Sequence, residues 1–403
     1  MTQFRKYIIH ITVSIWVLGI VSGCGDNPVV SDQVTWYTNV GTEGMDYATD
    51  IAAANDGGFV IVGRTDNYPA ILRDAFVAKV DGSGDVVWQR LIGGNYYDWA
   101  NAVTATSDGG FVAVGHSQTS DTAVGDTYIF KVDNEGNLIW ENRIAGDGFD
   151  EAVDVVETAD GGFVATGNCD AGTTRSILLF KVDSDGKLVW QKSLGNSDYA
   201  WANAIALAPD NDLMLIGHSA STWDYAQQYY VLRVNSTGEL IYEKLINTET
   251  GLGCFDIAST GDGGFVILGR SRYFDQTTYE EFRDIYLMKI DAAANVLWDE
   301  VIDVGDDDLC GKVSVLSDGG LALVGTTDDY SDGLPRYTHV IRTSGNGTVL
   351  WKQSFALDNR IYGEAVVPCS DGGMTIAGSV YLPESGYDAF VMKIDANGIL
   401  FRE

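Results

Sequence analysis

The sequence repeats itself. Asp56-Gly57-Gly58 returns as Asp108-Gly109-Gly110, Asp160-Gly161-Gly162, Asp262-Gly263-Gly264, Asp318-Gly319-Gly320 and Asp371-Gly372-Gly373. Asp210-Asn211-Asp212 fills the missing place, so the intervals are 52, 52, 50, 52, 56 and 53 residues. An aromatic series keeps the same beat: Trp36, Trp88, Trp140, Trp190, Tyr242, Trp298, Trp351 and Phe401. A third marker lies between them, as Lys79-Val80-Asp81, Lys131-Val132-Asp133, Lys181-Val182-Asp183, Lys289-Ile290-Asp291 and Lys393-Ile394-Asp395. Three markers in phase describe an array of like units, each of which buries its apolar face only against its neighbours.

One unit reads as four short strands. In the second repeat these are Asn101–Thr106, Phe111–His116, Thr127–Val132 and Leu138–Ile144, separated by Asp-Gly and Glu-Gly turns. The runs are rich in Val, Ile, Phe and Trp, and the turn residues are those that tolerate positive φ in tight hairpins. No stretch carries sustained helical periodicity. A four-stranded meander of about fifty residues, repeated, predicts an all-β chain: a seven-bladed β-propeller of four-stranded antiparallel blades, which hides its edges by radial repetition. The expected repeats run about 45–94, 97–147, 149–196, 198–248, 252–305, 306–356 and 357–403 within a propeller of residues 34–403. Eight aromatic strands accompany seven hairpins, so Val34–Val40, carrying Trp36, is expected to close the ring as the outer strand of the last blade. Ile399–Glu403 is then a competitor for that edge or an extra strand.

Val182-Asp183-Ser184-Asp185-Gly186-Lys187-Leu188-Val189-Trp190 resembles the D-x-x-x-G-K-x-x-W docking motif of PQQ-type propeller repeats. The whole unit is similar to repeat propellers of bacterial surface and secreted lipoproteins. The resemblance implies an architecture and a mode of anchoring, not an activity. PQQ dehydrogenases carry a vicinal Cys-Cys pair over the quinone and this chain has none, so no cofactor is expected.

Residues 1–23 read as an export signal: Arg5 and Lys6, an apolar run from Tyr7 to Val21, then Ser22-Gly23 before Cys24. Val21-Ser22-Gly23-Cys24 resembles the bacterial lipobox, which implies cleavage before Cys24 and a lipid on its sulfur. Residues 24–33 form a short polar leash. The expected address is the bacterial cell envelope, at the outer membrane or cell surface, with the membrane met only through the anchor.

The formal charge is −32, from 25 Lys and Arg against 57 Asp and Glu. Nucleic acid is excluded as a partner, because phosphate-backbone affinity rests on cations releasing counterions. The 45% hydrophobic content separates the chain from disordered acidic sequences. Cys169, Cys254, Cys310 and Cys369 follow no zinc-site spacing. Cys254 and Cys310 share a repeat position on adjacent blades, which leaves a bridge between them as an open alternative to free thiols.

The long connections fall at one face and include Thr65–Asp74, Ser117–Asp126, Ser219–Gln228, Ser271–Asp284, Thr326–Tyr337 and Ser379–Asp388. Loops on a rigid scaffold are where binding residues concentrate. The candidate aromatics there are Tyr68, Tyr97, Trp99, Trp201, Trp223, Tyr273 and Tyr330, with Tyr381 and Tyr387 beside them. Aligned repeats place Arg64, His116, Asn168, His218, Arg270, Thr326 and Ser379 in one ring at that face. Asp46, Asp98, Asp150 and Asp308 enter the innermost strands at the same end. These groups form either an ion-pair lattice between blades or the lining of a polar pocket. Asp50, Asp154, Asp256 and Lys312 are expected to face the central channel. Asp303/Asp306/Asp307/Asp308 and Asp328/Asp329/Asp332 are carboxylate clusters of the kind that attract calcium, without EF-hand spacing.

No G-x-S-x-G, H-E-x-x-H or P-loop motif occurs. The function expected is non-catalytic binding or scaffolding by a monomer, through the loop-rich face, with a glycan or an envelope protein as partner. The alternative is a carbohydrate-active enzyme, a glycoside hydrolase or polysaccharide lyase, using carboxylates on that face.

Overall fold

The computed structural model describes residues 35–67, 72–120, 124–144, 148–170, 175–195, 199–220, 228–248, 251–275, 280–304, 308–327, 336–356 and 360–400. The expected export signal, Cys24 and the expected leash lie outside them. Among the described residues, twenty-eight strands fall in four-stranded antiparallel sheets, two of them joined by one parallel pair of Arg175 with Tyr199, the architecture of a multi-bladed β-propeller. The first sheet is Met45–Ala53, Phe59–Asn67, Leu72–Val80 and Val86–Ile92, paired in that order. The following sheets repeat the pattern from Asp98, Phe149, Tyr199, Gly251 and Asp308.

The last sheet takes Ile361–Pro368, Met374–Leu382 and Gly386–Ile394 from one end of the chain and Trp36–Val40 from the other. Trp36 pairs with Lys393 and Val40 with Ala389, so the N-terminal strand closes the fold as expected. Ile399 and Leu400 form no strand; Leu400 instead packs into the apolar cluster beneath. A short ribbon, Tyr273–Asp275 with Glu280–Phe282, rises from the loop-rich end of the fifth sheet.

Because every sheet is apolar on both faces, the core is a series of layers between neighbours. One layer joins Val60, Val62 and Val77 of the first sheet to Phe111, Tyr128 and Phe130 of the second. The layer that closes the series joins Phe59, Ile61 and Phe76 to Ala377, Val391 and Trp36.

Each outer-strand aromatic docks onto the third-to-fourth-strand turn of the next sheet. The indole N–H groups of Trp36, Trp88, Trp140 and Trp351 donate to the carbonyls of Gly82, Asn134, Ser184 and Ala396 at 3.0, 3.0, 3.0 and 3.2 Å. The ring then covers the turn glycine. A Cβ on Gly136, which has φ +78°, would lie 2.8 Å from the Trp88 ring. Where this turn carries Ala294 instead (φ 55°), the docking residue is the smaller Tyr242, whose hydroxyl reaches the Ala292 carbonyl at 2.7 Å.

At the opposite edge of the same turns, the third-strand lysines are buried and meet the hairpin aspartates. Lys131, Lys181 and Lys393 lie 2.6 Å from Asp108, Asp160 and Asp371, Lys289 lies 2.8 Å from Asp262, and Lys79 pairs with Asp56. Arg233 and Arg342 take the lysine's place beside Asp210/Asp212 and Asp318.

Gly136→Ala is therefore expected to destabilise by about 2 kcal/mol or more, from left-handed strain and overpacking together. Ala294→Gly is expected to stay within about 0.5 kcal/mol, because relieved strain offsets a lost buried methyl. Urea unfolding of both variants checks this; a Gly136→Ala protein as stable as the parent would refute the docking contact as the spacer between sheets.

Candidate functional site

Of the positions expected to form a ring, four are committed to joining sheets. His116 sits between Trp99 and Phe149, with ring centroids 4.1 and 4.6 Å away, and its Nδ1 lies 2.9 Å from the Asp150 carbonyl. Asn168 both donates to the Ala202 carbonyl (3.3 Å) and accepts from its N–H (2.9 Å). His218 Nε2 accepts the Cys254 N–H at 3.1 Å, beneath Trp201 at 5.2 Å. Thr326 Oγ1 accepts the Gly363 N–H at 3.1 Å. In each case a second-strand side chain reaches the first strand of the next sheet. Ser379 is buried.

The carboxylates do not form a lattice with these groups. Asp46, Asp98 and Asp308 instead accept the backbone N–H four residues upstream, from Thr42, Gly94 and Val304 at 2.5, 2.7 and 3.2 Å. They cap the links between sheets. The physical reason is burial: each of these aspartates is fully buried, so it needs a nearby donor that moves with it. Asp150 is equally buried. A second regularity escaped the sequence reading. Asp74, Asp126, Asp284 and Asp388 open third strands next to Asp98, Asp150, Asp308 and Asp46 respectively. Ser176, Gln228 and Tyr337 hold the equivalent place where the neighbour is Ala200, Leu252 or Ile361, so the acids occur as pairs or not at all.

Cys254 and Cys310 are free thiols, not a bridge. Each donates back to the preceding sheet, Cys254 Sγ to the Gly217 carbonyl at 3.0 Å and Cys310 Sγ to the Gly269 carbonyl at 2.8 Å. The shared position is thus a small-residue contact with a glycine of the neighbour.

Of the candidate calcium ligands, Asp303 and Asp308 come together with Asp284, their oxygens within 4.8 Å of one another. Asp306, Asp307, Asp328, Asp329 and Asp332 lie outside the described residues. So do Tyr68, Trp223 and Tyr330. Tyr273 lies in the short ribbon. Tyr97 makes a parallel bridge to Arg73, whose guanidinium lies 5.9 Å from its ring.

The axial residues converge as expected. Lys312 Nζ lies 2.8 Å from Asp50, and Asp154 and Asp256 also bear on it. Burial opposes the ammonium charge, but the three carboxylates hold the Lys312 pKa above its ordinary value. Each aspartate also accepts an N–H from the next inner strand: Asp50 from Val103, Asp154 from Ile205 and Asp256 from Val313, all at 2.8 Å.

The arginines differ from the other ring members. Arg64 and Arg270 lie over Tyr47 and Phe255, at 4.4 and 5.5 Å, and the Nε of each is buried without a hydrogen-bond partner. Around Arg64 the structure assembles an aromatic cluster across the closure seam. Tyr47 packs against Tyr387 (5.1 Å), which also meets Tyr362 (6.0 Å) and the exposed Tyr381 (5.3 Å). Arg336 donates to the Tyr362 hydroxyl at 2.7 Å and lies 5.1 Å from that ring. Tyr47, Tyr362 and Arg336 were missed by the sequence reading. The signal was present, because Tyr47 and Tyr362 pair in register with Arg64 and Ser379, as Trp99 and Trp201 do with His116 and His218.

The chemistry of these groups is subdued. Burial pushes Tyr362 up to about 12, with the Tyr387 hydrogen bond adding to it. Burial also lowers His116, and takes His218 and His339 down to about 4. All three imidazoles are shielded from solvent and neutral at neutral pH. The depression of about 470 Å³ lined by Asp56, Lys79, Trp88, Arg90 and Asn134 lies on the other face and belongs to the indole docking.

These features define a β-propeller with a tyrosine–arginine cluster at the loop-rich end of its closure seam. No known protein family and no curated protein matches the chain in sequence. Solved structures do resemble it. A polysaccharide lyase described as PL25 ulvan lyase, bound to -[GlcA(1-4)Rha3S]-, matches at TM-score 0.56 and 11% identity, over 91% of this chain and 98% of its own. The β-propeller domain of the trilobed protease of Pyrococcus furiosus, described as having an open velcro topology, matches at TM-score 0.50 and 11% identity, over 89% and 98%. A protein of unknown function from Dyadobacter fermentans matches at 0.52 and 8%, over 89% and 98%. At such identities the likeness is one of fold alone.

The buried acids make stability depend on pH. Burial raises Asp256 and Asp308 to about 7 and Asp388 to about 6, and moves Asp46, Asp74, Asp154 and Asp284 up as well. A carboxyl whose folded pKa is raised binds its proton more tightly when folded, so its contribution is lost as pH rises from about 4 to the folded value. The depressed histidines act oppositely between about 4 and 6.5, and the acids outnumber them. Hydrogen bonds from Lys131 and Lys181 hold Asp108 and Asp160 down at about 2, so their contribution is lost only as pH falls from about 4 through that value. Urea midpoints should therefore be highest on the mildly acidic side and decline toward pH 7. Asp308→Asn should flatten that decline; a midpoint that rises steadily to pH 8 would contradict the assignment.

Proposed function

We propose that this protein is a non-catalytic binding module of the bacterial cell envelope, a seven-bladed propeller held through lipid on Cys24, which contacts a glycan through its loop-rich face. The observation that carries the reading is the cluster of Tyr47, Tyr362, Tyr381 and Tyr387 between Arg64 and Arg336. Partly exposed rings on a rigid seam offer flat faces for sugar C–H surfaces, and the hydroxyls and guanidinium groups offer hydrogen bonds. An envelope protein as partner fits the same surface less well, because the rings are interleaved with guanidinium groups and do not form a broad apolar patch. The lipobox-like Val21-Ser22-Gly23-Cys24 supports export, with the membrane met only by the anchor. We read the chain as a monomer with no cofactor; among the described residues, calcium is a candidate at Asp284, Asp303 and Asp308.

The binding reading is favoured over a hydrolase or lyase by the same site. General base work at neutral pH needs an accessible group with a matched pKa. Tyr362 is raised to about 12 and the three histidines are buried, so Asp388, partly exposed beside Tyr387 and raised to about 6, is the group of this cluster that a cleavage reaction would have to use. A glycan array with a lyase and hydrolase screen on the full chain tests this. Binding without turnover is expected, weakened about tenfold by Tyr387→Ala through lost stacking. Sugar cleavage abolished by a single carboxylate substitution would reverse the assignment in favour of the enzyme.

A further inference from the structure

We propose that four junctions between neighbouring sheets each hold a hard divalent cation, calcium by preference, between an aspartate at the head of a third strand and the aspartate that enters the next sheet. The proposal stands apart from the glycan reading and reaches beyond Asp284, Asp303 and Asp308 to a repeated site. The pairs are Asp74 with Asp98, Asp126 with Asp150, Asp284 with Asp308, and Asp388 with Asp46. The backbone brings them together. Arg73 and Tyr97, one residue before the first pair, form a parallel bridge. The Asp150 and Asp308 N–H groups donate to the carbonyls of Gly125 and Arg283, one residue before their partners, at 3.3 and 2.7 Å. At the closure seam, a Cβ on Gly41 would lie 2.8 Å from Asp46 Oδ2 and 3.6 Å from Asp388 Oδ1, so both carboxylates flank the same backbone.

Two carboxylates in a poorly solvated junction repel one another unless something positive lies between them. Three other junctions show that sheets join without acids. They carry Ser176 with Ala200, Gln228 with Leu252 and Tyr337 with Ile361. Arg175 and Tyr199 form the same parallel bridge at the first of these, so the backbone is alike and the carboxylates are what differ. No junction carries one acid alone. Acids that come together or not at all, against their own repulsion, point to a ligand that needs both. Side-chain cations do not supply it: among the described residues, no lysine or arginine makes an ion pair with Asp46, Asp74, Asp98, Asp284, Asp308 or Asp388. Asp98 supplies an independent observation. It is fully buried, its Oδ2 takes the Gly94 N–H, and its Oδ1 has no hydrogen-bond partner. Its charge bears on Asp74. At the Asp284–Asp308 junction Asp303 adds a third carboxylate, with all three oxygens within 4.8 Å of one another. Carboxylates from separate strands, completed by water and backbone carbonyls, suit the adaptable shell of calcium better than the strict octahedron of magnesium.

Thermal unfolding and equilibrium dialysis of the full chain at pH 7 test the proposal, with calcium, magnesium or sodium chloride added at matched ionic strength after chelation. Calcium should raise Tm by about 5 °C or more over the chelated protein, and magnesium by less. Dialysis should count about four calcium ions per chain, one for each acid pair. Asp74→Ser with Asp98→Ala installs the residues that the Ser176–Ala200 junction already accepts, and should lower the count by one. Asp388→Asn and, separately, Asp284→Asn should each do the same. Glu135→Gln, at an exposed acid outside the pairs, should leave the count unchanged. A Tm that answers alike to all three salts, with no calcium retained, would overturn the proposal. So would a full count in the Asp74→Ser, Asp98→Ala protein. A single calcium lost only with Asp284→Asn would overturn the repeated site, and a Tm that follows pH but ignores calcium would replace the cation with a shared proton.

Discussion

An indole resting on a neighbour's glycine is the contact on which this structure depends. A four-stranded sheet with two apolar faces has no stable existence alone, because both faces need cover. Trp88 supplies part of that cover, and its N–H finds the Asn134 carbonyl at the edge of the layer. The turn glycine must take positive φ for the hairpin and must also lack a side chain for the ring to lie down. One residue thus serves the hairpin and the interface together. The substitution of Ala294 and Tyr242 at one junction is what such a double constraint predicts: a methyl enters only where the opposing ring is smaller. The same contact makes the N-terminal strand indispensable, since Trp36 provides it for the first sheet from the edge of the last.

Several polar groups enter this apolar series with partners on the neighbouring sheet. His116, Asn168, His218 and Thr326 spend their hydrogen bonds on the next inner strand, and the axial aspartates do the same one layer deeper. Lys312 offsets three converging carboxylates at the axis. The result is a scaffold in which buried charge is tied between sheets, with the tyrosine–arginine cluster at the loop-rich rim of the seam. That the aromatic cluster straddles the closure is notable physically. Tyr362, Tyr381 and Tyr387 come from the last sheet and Tyr47 from the first, so the geometry of the site depends on the same pairing that closes the fold.

Legibility followed repetition. Trp88, Gly136, Lys131 and Asp108 recur in phase, so the repeat was readable, whereas the ion pair of Lys131 with Asp108 emerged only in the fold. Arg64 and His116 were placed correctly on one face, but aligned positions do not reveal partners. His116 turned to a carbonyl and Asp98 to an amide because a fully buried group takes the nearest rigid donor or acceptor. Cys254 and Cys310 show the limit in another way: equal register on adjacent sheets brings each thiol to a glycine carbonyl and not to the other thiol. The acid pairs, such as Asp284 with Asp308, were hidden because they join different positions of consecutive repeats.

By itself the sequence determined the all-β class, the strand order within each unit, the docking aromatics and the closing role of Trp36–Val40. These follow from local periodicity and turn chemistry, which act over a few residues and are therefore written in the chain directly. Tertiary structure alone decided that Tyr47, Arg64, Tyr362, Tyr387 and Arg336 form one cluster, and that Asp284 joins Asp303 and Asp308. Such groupings depend on distances between sheets far apart in sequence, and those distances exist only once the apolar layers have packed and the two chain ends have paired.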